Sequence, residues 1–166
     1  MPSNTRGGRT VVVPESFFEA LGIRLVKDFG PNAAESILYE IGRDAGKAYA
    51  TSAKHGLGRE IGKEDGVRTL LQRFGEFGWA QIRFLSLDAP SKFAVVEWRE
   101  GVGVPKSGSP VPVCHLGRGL LSGAAEVAFG ASCDAIETKC QGMGADHCEI
   151  VVGVPERVTR IAEGAE

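Results

Sequence analysis

The chain has 166 residues, of which 43% are hydrophobic and 24% are charged, and its formal net charge at pH 7 is −2. This composition is typical of one ordinary globular domain, and the near-neutral charge, with no basic run, argues against a nucleic-acid-binding surface. Apolar runs are too short for a membrane span, and the N-terminus does not resemble a secretion signal. We therefore expect a cytoplasmic protein, in which cysteines are thiols or metal ligands more often than disulfides.

A short strand and a first helix are predicted at the N-terminus. Residues 10–13 have strand character, and Pro14 begins a helix whose apolar residues recur at helical spacing up to Phe29. Gly30 and Pro31 then end this helix, because neither residue favours its continuation.

A second helix is expected from Asn32, which forms a capping-box pattern with Glu35, to about His55, which would interact with the helix dipole. Its predicted apolar stripe consists of Ala34, Ile37, Leu38, Ile41, Ala45 and Ala48. A separate row of small residues consists of Gly42, Gly46 and Ala50. Such a row lets another backbone approach closely, so it indicates either close helix packing within the chain, the simpler interpretation, or a dimer interface.

The middle of the chain predicts a third helix at about 67–74 and an antiparallel hairpin of strands 79–87 and 93–99. A Gly-, Pro- and Ser-rich loop follows at 101–112. Aromatic residues cluster here, and the candidates for a ligand-binding role are Phe74, Phe77, Trp79, Phe84 and Trp98. Most aromatic residues of this kind form the core, but small-molecule pockets are also apolar and aromatic. Trp79 and Trp98 are the preferred pocket candidates, because a buried indole N–H needs a partner.

The C-terminal third predicts a helix at 114–129 and a second hairpin of strands 133–140 and 147–153. A charged tail from Pro155 is expected to fray or to form a short surface helix. All four cysteines of the chain, and two of its three histidines, lie between Cys114 and Cys148. Metal or thiol chemistry is therefore confined to this region.

Cys140 and Cys148 flank the predicted hairpin turn symmetrically, and Cys114 reaches the same corner if its helix packs across the hairpin. Glu137 would join them only if the strand has a bulge or ends near residues 138–139, because alternate strand residues face opposite ways. Three thiolates and one carboxylate would form a closed tetrahedral zinc site. His115 and His147 are rival ligands. Spacing alone leaves open both a metal site and a set of buried thiols.

The run from Leu120 to Val152 closely resembles the 4-vinyl reductase domain family. The motifs that carry this resemblance are GLLSG at 119–123, ETKC at 137–140, GMG at 142–144 and DHC at 146–148. The second helix also resembles the N-terminal helix of the family, with its two glycines. The resemblance implies three segments: an N-terminal extension (1–14), a ligand-binding domain (15–153) and a C-terminal tail (154–166).

The resemblance implies an α+β fold, with an antiparallel sheet and helices packed on one face, shared with subunits of vesicle-tethering complexes. It also implies frequent homodimers and a structural Zn²⁺ held by Cys114, Glu137, Cys140 and Cys148, with Cys133 outside the set. Phenol sensors of the family hold the phenolic hydroxyl with a His and a Trp. Trp98 loosely matches this Trp, but no histidine occurs between His55 and His115, so the partner is missing.

Three functions follow from the resemblance. The first is a stand-alone sensor or carrier domain for an apolar or aromatic small molecule, with a possible protein partner. The second is an accessory or carrier role in tetrapyrrole metabolism of the bacteriochlorophyll type. The third is a ligand-free dimeric adaptor. A binding domain is favoured over an enzyme, because neither a nicotinamide-binding glycine motif nor a Ser-His-Asp or paired-carboxylate pattern stands out.

Overall fold

The computed structural model describes residues 11–57, 61–104 and 108–164, apart from the side chains of residues 55–57. Helices α1 (Glu15–Phe29), α2 (Pro31–Leu57) and α3 (Glu64–Glu76) precede strands β1 (Gln81–Asp88) and β2 (Phe93–Arg99). They are followed by α4 (His115–Phe129), β3 (Asp134–Lys139), β4 (Cys148–Gly153) and α5 (Pro155–Ala162). The predicted α+β class is therefore confirmed.

All four strands form one antiparallel sheet in the order β1-β2-β4-β3. Both predicted hairpins are present, and the central pair β2–β4 joins them in register from Phe93–Gly153 to Trp98–Cys148. The main core lies between one face of this sheet and the helices. Its largest fully buried side chains include Trp98, Phe74, Leu70, Leu71, Leu120, Leu121 and Ile150. On the opposite face, α5 buries Val158 against Phe93 and Val151.

The small-residue row of α2 packs against α4 within the chain, as the simpler interpretation predicted. A Cβ added to Gly42 or Gly46 would overlap carbonyl oxygens of α4, and one added to Gly119 or Gly123 would overlap carbonyl oxygens of α2. The two backbones are thus in direct contact. Ion pairs from Arg43 and Lys47 of α2 to the carboxylate of Glu126 in α4 join the two helices beside this contact.

The predicted apolar stripe of α2 is only partly correct. Ala34 is buried, but Ile41, Ala45 and Ala48 are exposed, because the glycine row occupies the face that meets α4. The capping-box prediction is wrong, since α2 begins at Pro31 and Asn32 already lies within the helix. Glu35 instead bonds Arg118 of α4 at 2.7 Å.

Two predictions at the N-terminal side need comment. Residues 11–13, placed in a strand by the sequence, have no regular structure, and Thr10 lies outside the described residues. The predicted dipole role of His55 concerns a side chain that is likewise outside them. Helix α1 has the predicted extent, yet none of its residues is buried. It lies against α2 as a surface helix, with Phe17, Ile23, Val26 and Phe29 exposed.

Candidate functional site

Four side chains from three elements meet at the edge of the core. Cys114 immediately precedes α4, Glu137 lies in β3, Cys140 follows β3, and Cys148 begins β4. One ligand atom from each residue lies within 4.8 Å of every other, and the three cysteines are buried. The structure therefore brings together the four residues named from the sequence, in a cluster that could hold a metal ion.

The convergence depends on a local irregularity in β3. The pairing of β3 with β4 shifts register between Glu137 and Lys139, so that Thr138 is the extra residue of a bulge. The strand then ends, and the turn closes as the amides of Met143 and Ala145 donate to the carbonyl of Cys140. The bulge turns Glu137 and Cys140 towards the same corner, as convergence required.

The cluster is poor in other partners. The sulfur atoms of Cys114 and Cys148 are 2.9 Å apart, and the amide of Gln141 donates to the sulfur of Cys148 at 3.3 Å. One oxygen of Glu137 accepts the amide of Cys114 at 3.1 Å, whereas its buried Oε1 has no hydrogen-bond partner among the described residues. A buried carboxylate oxygen without a donor, next to three sulfurs, is a suitable environment for a cation.

The thiols of the cluster favour their protonated form when no cation is bound. The hydrogen bond to Cys148, followed by burial, raises the pKa of Cys114. Burial is also the main cause that raises the pKa of Cys140. A metal ion reverses this preference because thiolates are the ligating form, so metal binding would release protons.

Neither rival histidine belongs to the cluster. His115 points to α2, where its Nδ1 lies 3.0 Å from Arg118 and 3.5 Å from Glu35, and burial lowers its pKa. The Nδ1 of His147 is buried without a hydrogen-bond partner in the described part of the chain, but it is not among the converging atoms. Cys133 also stands apart: its thiol faces the carbonyl of Ala131, and burial raises its pKa to about 12.

The five aromatic candidates do not line one cavity. Phe74 is a core residue packed on Tyr49, Phe77 is 55% exposed, and Phe84 lies under the guanidinium of Arg68. Trp79 is half-buried, packs edge-on against Phe18 and accepts the amide of Val102 with its carbonyl. Trp98 is fully buried in the core.

A small cavity of about 30 Å³ lies beside the cluster, where α1 and α2 meet the start of α4. Its lining residues are Phe18, Gly22, Leu38, Val102, Gly103, Val104, Val113, Cys114, Leu116 and Gly117. Sequence reasoning assigned none of these to a pocket except Cys114, as a ligand of the cluster. The glycines at 103 and 117 were the available signal, because each brings a backbone close to an aromatic ring.

Trp98 connects this cavity with the cluster. It is paired in register with Cys148, and its ring packs on Gly117, where an added Cβ would lie 3.1 Å from the indole. Its Nε1 also fills the space that a Cβ on Gly101 would need. This buried N–H has no hydrogen-bond partner among the described residues. A donor without a partner in a core is unfavourable and is therefore a marker of an unseen acceptor.

The α+β fold recurs in solved structures. The phenol-responsive sensory domain of the transcription activator PoxR, solved with phenol, has a TM-score of 0.76 at 22% identity, covering 95% of this chain and 83% of that one. A trafficking protein particle complex subunit 3 from Naegleria fowleri, covalently bound to palmitic acid, has a TM-score of 0.63 at 18% identity, covering 84% and 91%. A vinyl-4-reductase family protein from Methanocaldococcus jannaschii has a TM-score of 0.54 at 18% identity, covering 87% and 83%.

Sequence comparison points the same way. An uncharacterized protein of Methanocaldococcus jannaschii is 26% identical over 162 residues, which cover 95% of this chain and 83% of the relative. Residues 95–154, which include most of β2, all of α4 and the whole four-residue cluster, match the family model of the 4-vinyl reductase domain. The resemblance predicted from the C-terminal motifs is thus confirmed, and this part of the chain belongs to the 4-vinyl reductase domain family.

Proposed function

We propose that this chain is a small-molecule-binding sensor or carrier domain for an apolar or aromatic ligand, with a structural zinc ion at Cys114, Glu137, Cys140 and Cys148. The observation that carries the proposal is the unpartnered, buried indole N–H of Trp98 beside an apolar cavity. The similar phenol-responsive domain of PoxR, solved with phenol, supports a sensory role.

The zinc part of the proposal rests on the donor set. Three sulfurs and one carboxylate oxygen match the preference of zinc for four tetrahedral ligands, and a closed shell leaves no position for substrate. Bound zinc would supply a fixed charge that holds three thiolates together. The four residues hold the start of α4 against the hairpin, so the ion would stabilise one wall of the cavity rather than perform a reaction.

Ligand entry requires α1 to move. A cavity of about 30 Å³ is far below the ~150 Å³ that accommodates benzene in an engineered protein core. Helix α1 contributes Phe18 and Gly22 to the cavity and has no buried residue, so its displacement disrupts little packing. An outward shift of α1 would enlarge the cavity and leave the sheet and α4 in place.

The resemblance to dimeric proteins also leads us to propose a homodimer. Exposed Ile23, Val26 and Phe29 of α1 and Ile41 of α2 supply apolar side chains suited to contact with a second copy. A Val26→Glu variant should then elute as a monomer in size-exclusion chromatography with light scattering. Monomeric elution of the unmodified protein at high concentration would contradict this part of the proposal.

The main test fills the cavity. Gly22 lines it and has no atom within 4 Å of a built Cβ, so Gly22→Leu should occupy the space without disturbing the fold. We expect calorimetric binding of small aromatic compounds to the zinc-loaded protein, lost in Gly22→Leu and retained in the exposed control Lys27→Leu. If both variants bind equally, the cavity is not the site.

A second measurement addresses the alternative functions. Protein isolated from its own host should be examined by native mass spectrometry and by absorbance. A Soret-type band would favour the tetrapyrrole carrier over the aromatic sensor. Protein that binds no small molecule under any of these conditions, while remaining dimeric, would favour the adaptor.

A further inference from the structure

The chemistry of the cavity wall narrows the class of ligand, an inference that rests on the proposed binding function. None of the described residues lining the cavity carries a charge or a side-chain oxygen. Its one polar side chain, the thiol of Cys114, belongs to the four-residue cluster. A carboxylate or an ammonium group would therefore enter without a partner of opposite charge, which is strongly unfavourable in an apolar environment.

The hydrogen-bonding capacity behind this wall is one-sided. Trp98 is 1% exposed, its Nε1 has no partner among the described residues, and an indole nitrogen only donates. The ring is separated from the cavity by Gly117, whose missing side chain leaves the indole within 3.1–3.4 Å of a built Cβ. A ligand oxygen reaching this gap meets a donor, and no side chain of the wall offers it an acceptor.

We propose that the pocket selects neutral ligands whose polar group is a hydrogen-bond acceptor only, a carbonyl or ether oxygen on an apolar aromatic body, received by the N–H of Trp98. A phenol satisfies this donor too, but its own O–H then finds no side-chain acceptor in the wall. A buried unpaired hydroxyl is unfavourable, so phenols bind less well than matched ketones or ethers.

The test uses ligands of the same shape. Acetophenone and α-methylstyrene differ only in a carbonyl oxygen replaced by a methylene group, and both are titrated calorimetrically into zinc-loaded wild-type protein and Trp98→Phe. The indole-to-phenyl change removes the donor and keeps an aromatic ring. We expect it to weaken acetophenone about tenfold relative to α-methylstyrene, the usual effect of one lost buried hydrogen bond. Comparing the change between two proteins cancels the different hydration of the two ligands.

A second measurement keeps the test valid if Trp98→Phe does not fold. In ¹H–¹⁵N spectra of the wild-type protein, the indole resonance of Trp98, assigned with a Trp79→Phe variant, should move downfield with acetophenone and not with α-methylstyrene. Anisole and its isomer o-cresol provide a third comparison, in which anisole should bind more tightly.

The possible failures are distinct. If both acetophenone and α-methylstyrene bind but neither the indole resonance nor the affinity ratio distinguishes them, the acceptor-only selectivity is wrong and the pocket remains. Tighter binding of benzoate than of acetophenone would also overturn it. If no neutral aromatic compound binds the folded, zinc-loaded protein at millimolar concentration, the proposed binding function itself is wrong.

Discussion

Glu97 is a buried carboxylate on the sheet face away from the main core, and it accepts hydrogen bonds from the guanidinium groups of Arg83 and Arg99. The hydrogen bonds from these arginines lower its pKa to about 2. A carboxylate whose pKa is lower in the folded than in the unfolded chain stabilises the fold above the unfolded pKa of about 4. That contribution is lost as the pH falls through the folded pKa.

We therefore expect Glu97→Gln to lower the thermal unfolding midpoint at pH 7, with the difference from wild type disappearing between about pH 4 and pH 2. Thermal unfolding followed by circular dichroism across this range measures the effect. Asp88→Asn is a control with a smaller expected deficit, since hydrogen bonds from Ser91, rather than two guanidinium groups, are the main cause that lowers the pKa of Asp88. An equal deficit of Glu97→Gln at pH 7 and pH 2 would contradict the assignment.

The cysteines differ in role although all four are buried. Cys148→Ser should reduce the metal content from about one zinc per chain to near zero and lower the unfolding midpoint, because one of four ligands is removed. Cys133→Ser is the matched control, as its thiol faces the carbonyl of Ala131 and lies outside the cluster. Elemental analysis of protein purified without chelator checks this, and a Cys148→Ser variant with full zinc would disprove the ligand set.

At the scale of elements, the contact of α2 with α4 is the most demanding. A Cβ on Gly123 would overlap the carbonyl oxygen of Arg43, whereas one on Gly22 of α1 meets nothing within 4 Å. Gly123→Ala should destabilise the protein by about 1–3 kcal/mol through overpacking. Gly22→Ala should stabilise it by about 0.5–1 kcal/mol, because alanine is the better helix former. Chemical denaturation measures both, and similar values for the two variants would refute close backbone packing.

Elements were largely predictable because their signals are local. Turn residues and alternating patterns located both hairpins, and β2 spans the predicted residues 93–99. The buried face of α2 was not predictable from hydrophobicity, since Gly42 and Gly46 carry no apolar side chain and yet face α4. The apolar side chain of Ile41 is left outside for this reason.

The candidate cluster was predictable for a different reason: its ligands are chemically distinctive and flank a recognisable turn. The bulge at Thr138 could be stated as a condition for convergence, but its presence could not be deduced, because no residue type requires it there. The cavity escaped prediction altogether. Its walls come from segments distant in sequence, such as Phe18 of α1 and Val104 of the loop after β2, and only their packing brings them together.

In the whole molecule, the candidate metal centre and the cavity share a residue. The thiol of Cys114 belongs to the cluster, its backbone precedes α4, and it lines the cavity. Removing zinc with a chelator should therefore weaken ligand binding, and bound ligand should slow zinc loss, because thermodynamic coupling is reciprocal. Calorimetry before and after chelation, with zinc restored as the control, tests this. Unchanged affinity in folded, zinc-free protein would show that the two sites are independent.

Exposed apolar side chains are concentrated on α1 and on the residues before it. No helix in the described part of the chain is both long and apolar enough to cross a bilayer. The distribution of these side chains is consistent with a helix that contacts a second copy on one side and covers the cavity on the other.

The absence of buried residues from α1, all of which the structure describes, has a kinetic consequence. A helix held by few buried contacts opens at a low free energy, so its backbone amides should exchange with deuterium well before those of α4. If the ligand enters only when α1 is open, the observed association rate should reach a plateau at high ligand concentration, equal to the opening rate. Mass-resolved hydrogen exchange should then show slower exchange in Glu15–Phe29 once the cavity is filled. The selectivity of the pocket would lie in its interior, and its speed in the least anchored helix of the fold.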